Sequence, residues 1–382
     1  MDKKELGIYI HIPFCKQKCY YCDFISFANK NEKQEQYIKA IKKEIDTYEF
    51  EKYNVTTIYI GGGTPSYIES KYIVELIEKL KSKLTNNETK FDKIEITIEV
   101  NPGAVTKQKL QDFKSCGINR LSIGLQTTNN NLLKQIGRIH TYEEFLETYN
   151  MAKEVGFENI NVDLMLGLPN QTIKDLKDSL EKVIRLGATH ISVYSLIVEE
   201  GTVISKLLDE EKIELPSEET EREMYWYVKN TLELNGYKHY EISNFAKENK
   251  YSKHNMNCWK QEEYIGLGIA AHSYLNDTRF SNGNNIEDYI NNVENKEIEE
   301  AQTLEDKQNE FMLLGLRMLN GVDIASFKQK FGQNPIYLYR DRLNKLVEDG
   351  LVVIDLNHIK LTNKGLDLAN LVFEEFIWNE RN

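Results

Sequence analysis

The sequence predicts an α/β fold built on a parallel sheet, and two periodic patterns lead to this prediction. Runs rich in apolar and β-branched residues alternate with charged amphipathic stretches over about the first two hundred residues. Stretches such as IKDLKDSLEKVIRLG place apolar residues three and four positions apart, as surface helices do. Strands that alternate with helices pair in parallel through right-handed crossovers, in an open sheet or one curled toward a barrel. The predicted strands cover residues 6–12, 56–62, 93–100, 119–126, 158–167 and 189–196.

Polar or glycine-rich motifs mark the ends of five of these strands. They read HIPFC, GGGTPS, EVNPG, GLQ and DLMLGLP. In both versions of the fold, ligands bind beyond the carboxyl ends of the strands. We therefore expect these motifs to form one shared site.

Composition excludes several functional classes. The chain has 382 residues, of which 41% are hydrophobic, enough for one large domain with or without a small satellite. Its formal net charge of −12 disfavours binding to nucleic acid or to anionic membranes. The N-terminal segment lacks the pattern of a signal peptide, and no apolar stretch approaches the ~20 residues of a transmembrane helix. A cytoplasmic protein with reduced thiols is expected.

The alternation of strands and helices fades after about residue 200, which predicts three regions. Residues 1–200 form the barrel-like core, residues 201–300 a helical extension and residues 301–382 a C-terminal module. The last region has the pattern of three helices, a short β-hairpin and a final helix, which is the order of a winged helix. Because this region is rich in Glu and Asp, we do not expect it to bind DNA.

Three of the five cysteines lie close together, directly after the first predicted strand. Cys15, Cys19 and Cys22 are separated by three and then two residues. In a reducing compartment this clustering favours metal ligation or redox chemistry over a disulfide. A closed zinc site normally takes four ligands, and nearby His11 and Asp23 are poorly spaced to complete it. Three thiolates suit a four-iron cluster better, with one iron left open to an external ligand.

This cysteine spacing, with Tyr21 just before the third cysteine, resembles the signature of the radical S-adenosylmethionine (SAM) superfamily. The string IYIHIPFCKQKCYYCDF is similar to one branch, the oxygen-independent coproporphyrinogen III oxidases and their relatives, the heme chaperones of the HemW type. The resemblance extends over essentially the whole chain. It implies a radical SAM partial (β/α)6 barrel, similar to part of a TIM barrel, and a 4Fe-4S cluster held by Cys15, Cys19 and Cys22. SAM would bind to the open iron.

The resemblance also implies which strand-end residues bind SAM. Gly62, Gly63 and Thr64 match the stretch that holds the amino and methionyl parts, and backbone without Cβ atoms lets a charged ligand approach closely. Glu99 is a carboxylate in an otherwise apolar run, where it needs a cation or hydroxyl groups as partners. The family assigns it to SAM binding as well.

Five further residues match positions around the cofactor. Tyr9 would lie beside the methionine and Tyr21 near the adenine, although a strand tyrosine such as Tyr9 equally fits plain core packing. Gln126, Arg138 and Asp163 match three positions that hold a second SAM in the oxidase. Arg138 lies on a loop or helix start, so a plain surface position is its alternative.

Two departures from the oxidase pattern favour the chaperone branch. The oxidase has a further cysteine two positions after the third ligand, where this chain has Phe24. The oxidase also carries an N-terminal extension ahead of its cluster motif, whereas Cys15 lies near the start of this sequence. Both features match the chaperones.

The string KHNMNCW resembles the HNxxYW motif of the chaperone branch. His254, Asn255 and Trp259 are kept, and Cys258 takes the tyrosine position. Histidine is a common axial ligand of heme iron, and a neighbouring aromatic ring can stack on a porphyrin. The alternative for His254 is a loop histidine packed by Trp259, and Cys258 is itself a possible iron ligand. His272 is a candidate ligand of lower rank.

On this resemblance, we predict a cytoplasmic heme chaperone that binds heme, a 4Fe-4S cluster and SAM and delivers heme to acceptor proteins. The alternative is an oxygen-independent coproporphyrinogen III oxidase that forms protoporphyrinogen IX in porphyrin biosynthesis. A zinc-binding scaffold is a third hypothesis. The expected partner is a low-potential electron donor such as flavodoxin or ferredoxin. Cys116 is expected to be a buried small hydrophobe.

Overall fold

A twelve-stranded sheet forms the centre of the chain in a computed structural model, which describes residues 3–84, 90–298 and 302–377. The first six strands lie side by side in chain order and pair in parallel. They are β1 (Lys4–Ile12), β2 (Tyr53–Gly62), β3 (Glu95–Val100), β4 (Arg120–Gln126), β5 (Asn159–Leu166) and β6 (His190–Ser195). All six lie where the sequence predicts strands, so the parallel α/β fold is confirmed.

The helices between these strands bury one apolar face against the sheet. Their bounds are α1 (Gln34–Asp46), α2 (Ser70–Leu84), α3 (Lys107–Cys116), α4 (Asn130–Gln135), α5 (Tyr142–Val155) and α6 (Ile173–Leu186). Helix α6 begins at a capping box formed by Thr172 and Asp175, and Gly187 follows its last turn with a φ of 71°. Its Leu176 and Leu180, four residues apart, are buried on the same face.

Between residues 201 and 298, which the structure describes, there are six strands as well as helices. The elements are α7 (Val203–Asp209), α8 (Glu218–Leu234), β7 (Lys238–Glu241), β8 (Asn244–Ala246), α9 (Lys253–Trp259), β9 (Glu263–Leu267), β10 (His272–Leu275), β11 (Thr278–Asn282), α10 (Ile286–Asn291) and β12 (Lys296–Ile298). β9 pairs in parallel with β1, and β8 pairs antiparallel with β6, so this region extends the sheet at both edges. The predicted helical extension therefore contains strands that the sequence analysis did not predict. These strands have three to five residues each, too few to display a clear alternation.

The C-terminal residues form a module with its own apolar core, which includes Met312, Phe327 and Ile359. Its last two strands form the predicted hairpin, and a third short strand joins them in a small sheet. The elements are α11 (Leu304–Arg317), β13 (Val322–Asp323), α12 (Ile324–Phe331), α13 (Pro335–Leu338), α14 (Arg340–Glu348), β14 (Val352–Ile354), β15 (His358–Leu361), α15 (Asn363–Asp367) and α16 (Ala369–Glu374). Among the described residues 302–377, four helices precede the hairpin and two short helices follow it, where the sequence predicts three and one. The winged-helix assignment stays a prediction. The domain boundaries at 200 and 300 stay predictions, since the core of the large sheet includes Val193 and Val228, on either side of the first.

The two faces of the parallel strands differ in polarity. On β5, Asn161 and Asp163 share the inner face, while Ile160 and Val162 pack in the apolar core. We call the edge with the carboxyl ends of β1 to β6 the mouth, and the edge with their amino ends the floor. The sheet order runs from β12 to β7 without closing, as in a partial barrel.

Within the ranges given above, no helix combines the length and apolarity needed to cross a membrane.

Candidate functional site

The three clustered cysteines lie on the loop after β1, at the mouth. The Cys15 N–H donates to the carbonyl of Phe27 at 3.0 Å, and the Thr64 hydroxyl donates to Cys15 Sγ at 3.5 Å. The Cys22 N–H donates to the carbonyl of Cys19 at 3.2 Å, so one turn carries both residues. Burial, together with the neighbouring Cys19, raises the pKa of the Cys22 thiol to about 11. Thiolates this close together need a positive centre beside them, as a metal cluster provides.

All three cysteines are free thiols. Among the residues that the structure describes, no group of three or more His, Cys, Asp or Glu side chains is placed to hold a metal ion. The sulfur ligands of a single zinc ion must converge on one point, about 2.3 Å from each sulfur. The thiolates around a four-iron cluster bind different irons, so they need not converge in this way. Ligation of a cluster by Cys15, Cys19 and Cys22 stays a prediction.

Arg138 reaches from the loop after α4 into the mouth. Its Nη1 donates to Cys19 Sγ at 3.5 Å, and its Nη2 donates to the carbonyl of Gly124 at 2.6 Å and to Asn101 Oδ1. The alternative of a plain surface residue therefore does not describe this side chain. A fixed guanidinium beside a sulfur stabilises negative charge on that sulfur.

The glycine loop after β2 passes so close to the cysteine loop that side chains do not fit. A Cβ on Gly63 would lie 2.9 Å from the carbonyl oxygen of Ile12 and 3.0 Å from Cys15 Sγ. Gly62 has a φ of 109°, and a Cβ there would lie 2.5 Å from the His11 ring. These contacts explain why the loop needs glycine and leave backbone, not side chains, facing the mouth.

Glu99, at the end of β3, has hydrogen bonds to both carboxylate oxygens. The Tyr59 hydroxyl donates to Oε1 at 2.9 Å, and the Gly62 N–H donates to Oε2 at 3.2 Å. Burial nevertheless raises the pKa of Glu99 to about 7, and the charge of Asp163 contributes to the rise. A carboxyl group poised near neutral pH becomes fully ionised when a cation such as an ammonium group binds beside it.

Asp163, on β5, belongs to a polar network on the inner face of the sheet. Asn161 Nδ2 donates to its Oδ1 at 2.7 Å, and the Ser122 hydroxyl donates to its Oδ2 at 3.3 Å. Burial raises the pKa of Asp163, and the Asn161 bond and the charge of Arg120 partly offset this rise. Arg120 is only 2% exposed, so it places a buried positive charge inside the sheet.

Tyr9 and Tyr21 are both held by polar neighbours. The Tyr9 hydroxyl lies 3.0 Å from His11 Nδ1, and its ring stacks on Tyr59 with centroids 6.3 Å apart. Tyr21 lies on the cysteine loop, where burial raises its pKa and the charge of Arg138 opposes that rise. Packing and cofactor contact are both compatible with these positions.

Gln126 ends β4 in a strained conformation. Its φ of 73° is rare for a residue with a Cβ, and the register between β4 and β5 shifts between Gly124 and Gln126. Strain of this kind is concentrated at binding sites. Every predicted site residue except His254 lies on the loops of the mouth or on the inner face next to it: Tyr9, Cys15, Cys19, Tyr21, Cys22, Gly62, Gly63, Thr64, Glu99, Gln126, Arg138 and Asp163.

The outer side of the cysteine loop is open to solvent. A cavity of about 300 Å³ lies between this loop and the start of α7, and Cys19, Cys22 and Val203 line it. Phe24 is 61% exposed. A small ligand or a partner protein can therefore approach the cysteines from this side.

His254 lies at the floor, away from the cysteines. Its Nδ1 is 2.9 Å from the Thr57 hydroxyl, and its ring stacks on Tyr59 with centroids 5.2 Å apart. The side chain is 7% exposed, and burial lowers its pKa to about 4, so the ring is neutral as an iron ligand must be. Only Nε2 remains for such a ligand. His254 lies on a helix, not a loop, and Trp259 packs on Arg317 at 4.5 Å.

The remaining sequence candidates lie apart from one another. Cys258 is half-buried on α9, where burial raises its pKa to about 11 and the charge of Arg279 opposes the rise. His272 is exposed at the start of β10. Cys116 is 4% exposed, and its thiol donates to the carbonyl of Phe113 at 3.2 Å, so the expected burial is confirmed.

Sequence analysis missed three residues that support the predicted ones. Tyr59 contacts both Glu99 and His254, Asn101 accepts from Arg138, and Arg120 supplies the buried cation. The strands do contain a signal for Tyr59 and Arg120, because polar residues recur at every second position there. This alternation predicts that the side chains of Tyr59 and Arg120 lie on the inner face of the sheet.

Comparison with known proteins gives the family. The family model of the radical SAM superfamily matches residues 9–183, and that of the HemN C-terminal domain matches residues 302–368. The heme chaperone HemW of Lactococcus lactis is 37% identical over 384 residues, covering 100% of both chains. HemW of Bacillus subtilis is 38% identical over 375 residues, covering 97% of this chain and 98% of the relative.

Solved structures give the same fold. The structure of coproporphyrinogen III oxidase (HemN) from Escherichia coli, a radical SAM enzyme, has a TM-score of 0.84 and 25% identity. The match covers 98% of this chain and 90% of that one. Together with the full-length relatives, these similarities show that the chain belongs to the HemW family within the radical SAM superfamily.

Proposed function

We propose that this protein is a heme chaperone, which binds heme, a 4Fe-4S cluster and SAM and delivers heme to an acceptor protein. The observation that carries the proposal is the full-length similarity to HemW proteins, at 37% and 38% identity against 25% for HemN. Phe24, at the position where the oxidase has a cysteine, and the motif on α9 support the same choice.

Donor groups at the mouth support the proposal that a cluster and SAM bind there. A cluster on Cys15, Cys19 and Cys22 would supply an electron at low potential and an open iron for SAM. The hydrogen bonds to Cys15 and Cys19 from Thr64 and Arg138 stabilise charge on the sulfurs. The Gly62–Gly63 backbone gives a ligand close access, and Glu99 would accept its ammonium group.

Heme binding is assigned to the motif on α9. Burial and the charge of Arg120 lower the pKa of His254 to about 4, so its ring is neutral, as an iron ligand must be. Its Nδ1 contact with Thr57 fixes the ring orientation and leaves Nε2 for iron. His254 therefore stays the predicted ligand within the motif, although the ring must become more accessible to reach heme.

The alternative function is oxidation of coproporphyrinogen III, and one observation favours it. Gln126, Arg138 and Asp163, which match second-SAM positions of the oxidase, face the same inner space of the sheet. An enzyme with this activity needs its substrate at the mouth, within reach of SAM.

One experiment separates the two functions. Protein reconstituted anaerobically with iron and sulfide is titrated with heme and, in parallel, incubated with SAM, a reductant and coproporphyrinogen III; E. coli HemN serves as the positive control for product. We expect stoichiometric heme binding, transfer of heme to an apo-acceptor and no protoporphyrinogen IX. Product formation, or a failure to bind heme, would contradict the chaperone proposal.

We also infer a cytoplasmic location and an electron donor such as flavodoxin or ferredoxin. All five cysteines are free, which suits a reducing compartment. The open side of the cysteine loop, with exposed Phe24, gives a donor a surface to contact. Reduced flavodoxin should bleach the visible absorbance of the reconstituted cluster, and unchanged absorbance would count against this partner.

A further inference from the structure

Arg138 is held against the cysteine loop by the way in which helix α4 ends. Gly137 follows the helix with a φ of 74°, and the Arg138 N–H donates to the carbonyl of Leu133 at 2.9 Å. This is the hydrogen bond of a Schellman motif, which fixes the backbone at the end of a helix. The Tyr20 N–H donates to the carbonyl of Ile136 at 3.0 Å, so the same turn contacts the cysteine loop. The arginine therefore begins at a fixed point beside that loop.

The guanidinium of Arg138 is positioned by neutral acceptors, which leave its charge in place. Its Nη2 donates to the carbonyl of Gly124 at 2.6 Å and to Oδ1 of Asn101. Its Nη1 donates to Cys19 Sγ at 3.5 Å. No described carboxylate forms an ion pair with this guanidinium. Cys19 Sγ therefore lies beside a positive charge that no acidic side chain pairs with.

Arg138 also has a donor to spare. Its Nε is buried and has no hydrogen-bond partner in the part of the chain that the structure describes. The charge of Asp163 acts on Arg138, but that carboxylate accepts hydrogen bonds from Asn161 and Ser122 instead of pairing with the arginine. The charge and the free N–H both remain for the cysteine loop and for a group bound to it.

Asn101, which holds the guanidinium, is itself fixed at the end of β3. Its N–H donates to the Ser66 hydroxyl at 3.0 Å, and its carbonyl accepts from the Ala104 N–H at 3.1 Å, which closes a turn. Pro102 follows directly, and a proline restricts the backbone of the residue before it. Asn101 is therefore a rigid support for the arginine. Its amide oxygen accepts a hydrogen bond without adding a negative charge.

We propose that Asn101 is a positioning residue, which aims the guanidinium of Arg138 at Cys19 so that this charge raises the reduction potential of the cluster. One-electron reduction adds negative charge to the cluster and to the sulfurs that bind it. A cation that donates to one of these sulfurs stabilises the reduced state. The inference rests on the proposed function, because it requires a cluster on Cys19. It adds a control of the cluster potential that needs neither heme nor SAM.

Asn101→Asp is the principal test, because aspartate keeps the shape and the acceptor of asparagine and neutralises the arginine. Reconstituted protein without SAM is titrated anaerobically with dithionite, which supplies the electron, and electron paramagnetic resonance measures the reduced cluster. The equilibrium constant for one-electron reduction should fall about tenfold, which lowers the midpoint potential by about 59 mV. Arg138→Gln, which removes the charge, should lower the potential at least as much.

Two further variants separate the effect of charge from that of structure. Arg138→Lys keeps the positive charge, so its potential should lie between those of Arg138→Gln and the wild type. Arg185→Gln is the matched control, since it makes the same charge change at an exposed side chain that pairs with Glu181 on α6. Its equilibrium constant for reduction should stay within twofold of the wild type. Iron and sulfide analysis should show a full cluster in every variant, because the three cysteines remain.

The outcomes separate this inference from the proposed function. Wild-type protein that assembles no iron-sulfur cluster overturns both. Full clusters in Asn101→Asp and Arg138→Gln with the potential of the wild type, or a higher one, overturn the role of Asn101 alone and leave the chaperone function standing. An Asn101→Asp variant that assembles no cluster would assign this residue to the folding of the loop, which also overturns the inference.

Discussion

The mouth and the floor are built from the two ends of the same strands, but their chemistry is opposite. At the mouth, thiols and a glycine loop lie beside one guanidinium, and backbone groups are open to a small ligand. At the floor, four lysines and a mixture of other polar and apolar side chains line a cavity of about 650 Å³. The two ends share one link, Tyr59, whose hydroxyl donates to Glu99 while its ring stacks on His254.

This difference bears on how the protein works. An enzyme that modifies its substrate with a SAM-derived radical must hold both within contact distance. The polar network around Asp163 lies on the inner face of the sheet between the two ends. The following predictions test each end.

The largest effect is expected at the cysteine loop. Replacing Cys19 by Ala should abolish the brown chromophore of the reconstituted protein, because the remaining pair of thiolates does not secure the cluster. Iron and sulfide analysis measures the loss. Cys116→Ala, which removes a buried thiol far along the chain, is the control and should keep its full iron content. A complete cluster in Cys19→Ala would disprove the ligand assignment, and zinc without iron in the wild type would favour the zinc scaffold.

An intermediate effect is expected from the pH dependence of Glu99. Its pKa of about 7 means that SAM affinity should rise about tenfold between pH 6 and pH 8, as the carboxylate that pairs with the ammonium group forms. Calorimetric titration of SAM measures the profile. Glu99→Gln should bind weakly and without this rise, whereas Glu95→Gln, at the floor, should retain it. Equal pH profiles for Glu99→Gln and the wild type would refute this role.

The raised pKa of Glu99 also makes the stability of the fold depend on pH. A rise in pH should strengthen SAM binding but should lower the free energy of unfolding. The folded state holds the Glu99 proton more tightly than the unfolded chain, whose pKa is near 4.5. Without ligand, the contribution of Glu99 to the free energy of unfolding should therefore fall as the pH rises from 4.5 toward 7, and level off above it. Glu99→Gln should remove this slope in denaturant titrations.

The smallest of these effects is expected from His254. His254→Ala removes a buried ring and leaves the Thr57 hydroxyl without its partner, which should cost about 1–3 kcal/mol of unfolding free energy. Because His254 is the predicted iron ligand, the variant should also change the absorption spectrum of bound hemin and weaken hemin binding at least threefold. Thr57→Val is a milder control that removes the contact and keeps the ring. An unchanged hemin spectrum and affinity in His254→Ala would contradict this role.

Much of the core could be predicted because its signals are local. The cysteine spacing lies within one loop, the capping box at Thr172 lies within four residues, and the six parallel strands are long enough to stand out from the helices between them. The strands of residues 238–298 were missed because three to five residues carry no readable period. Their pairing with β1 and β6 joins segments far apart in the sequence.

The sequence by itself determined the order of strands and helices, the cysteine loop and the glycine loop, since periodicity and spacing are properties of neighbouring residues. Only the tertiary structure decided which side chains meet. It brought Arg138 to Cys19 and Tyr59 to Glu99, and it put His254 at the opposite end from the cysteines. These contacts depend on how distant strands pair and on which edge each loop emerges from, and no local pattern encodes that register.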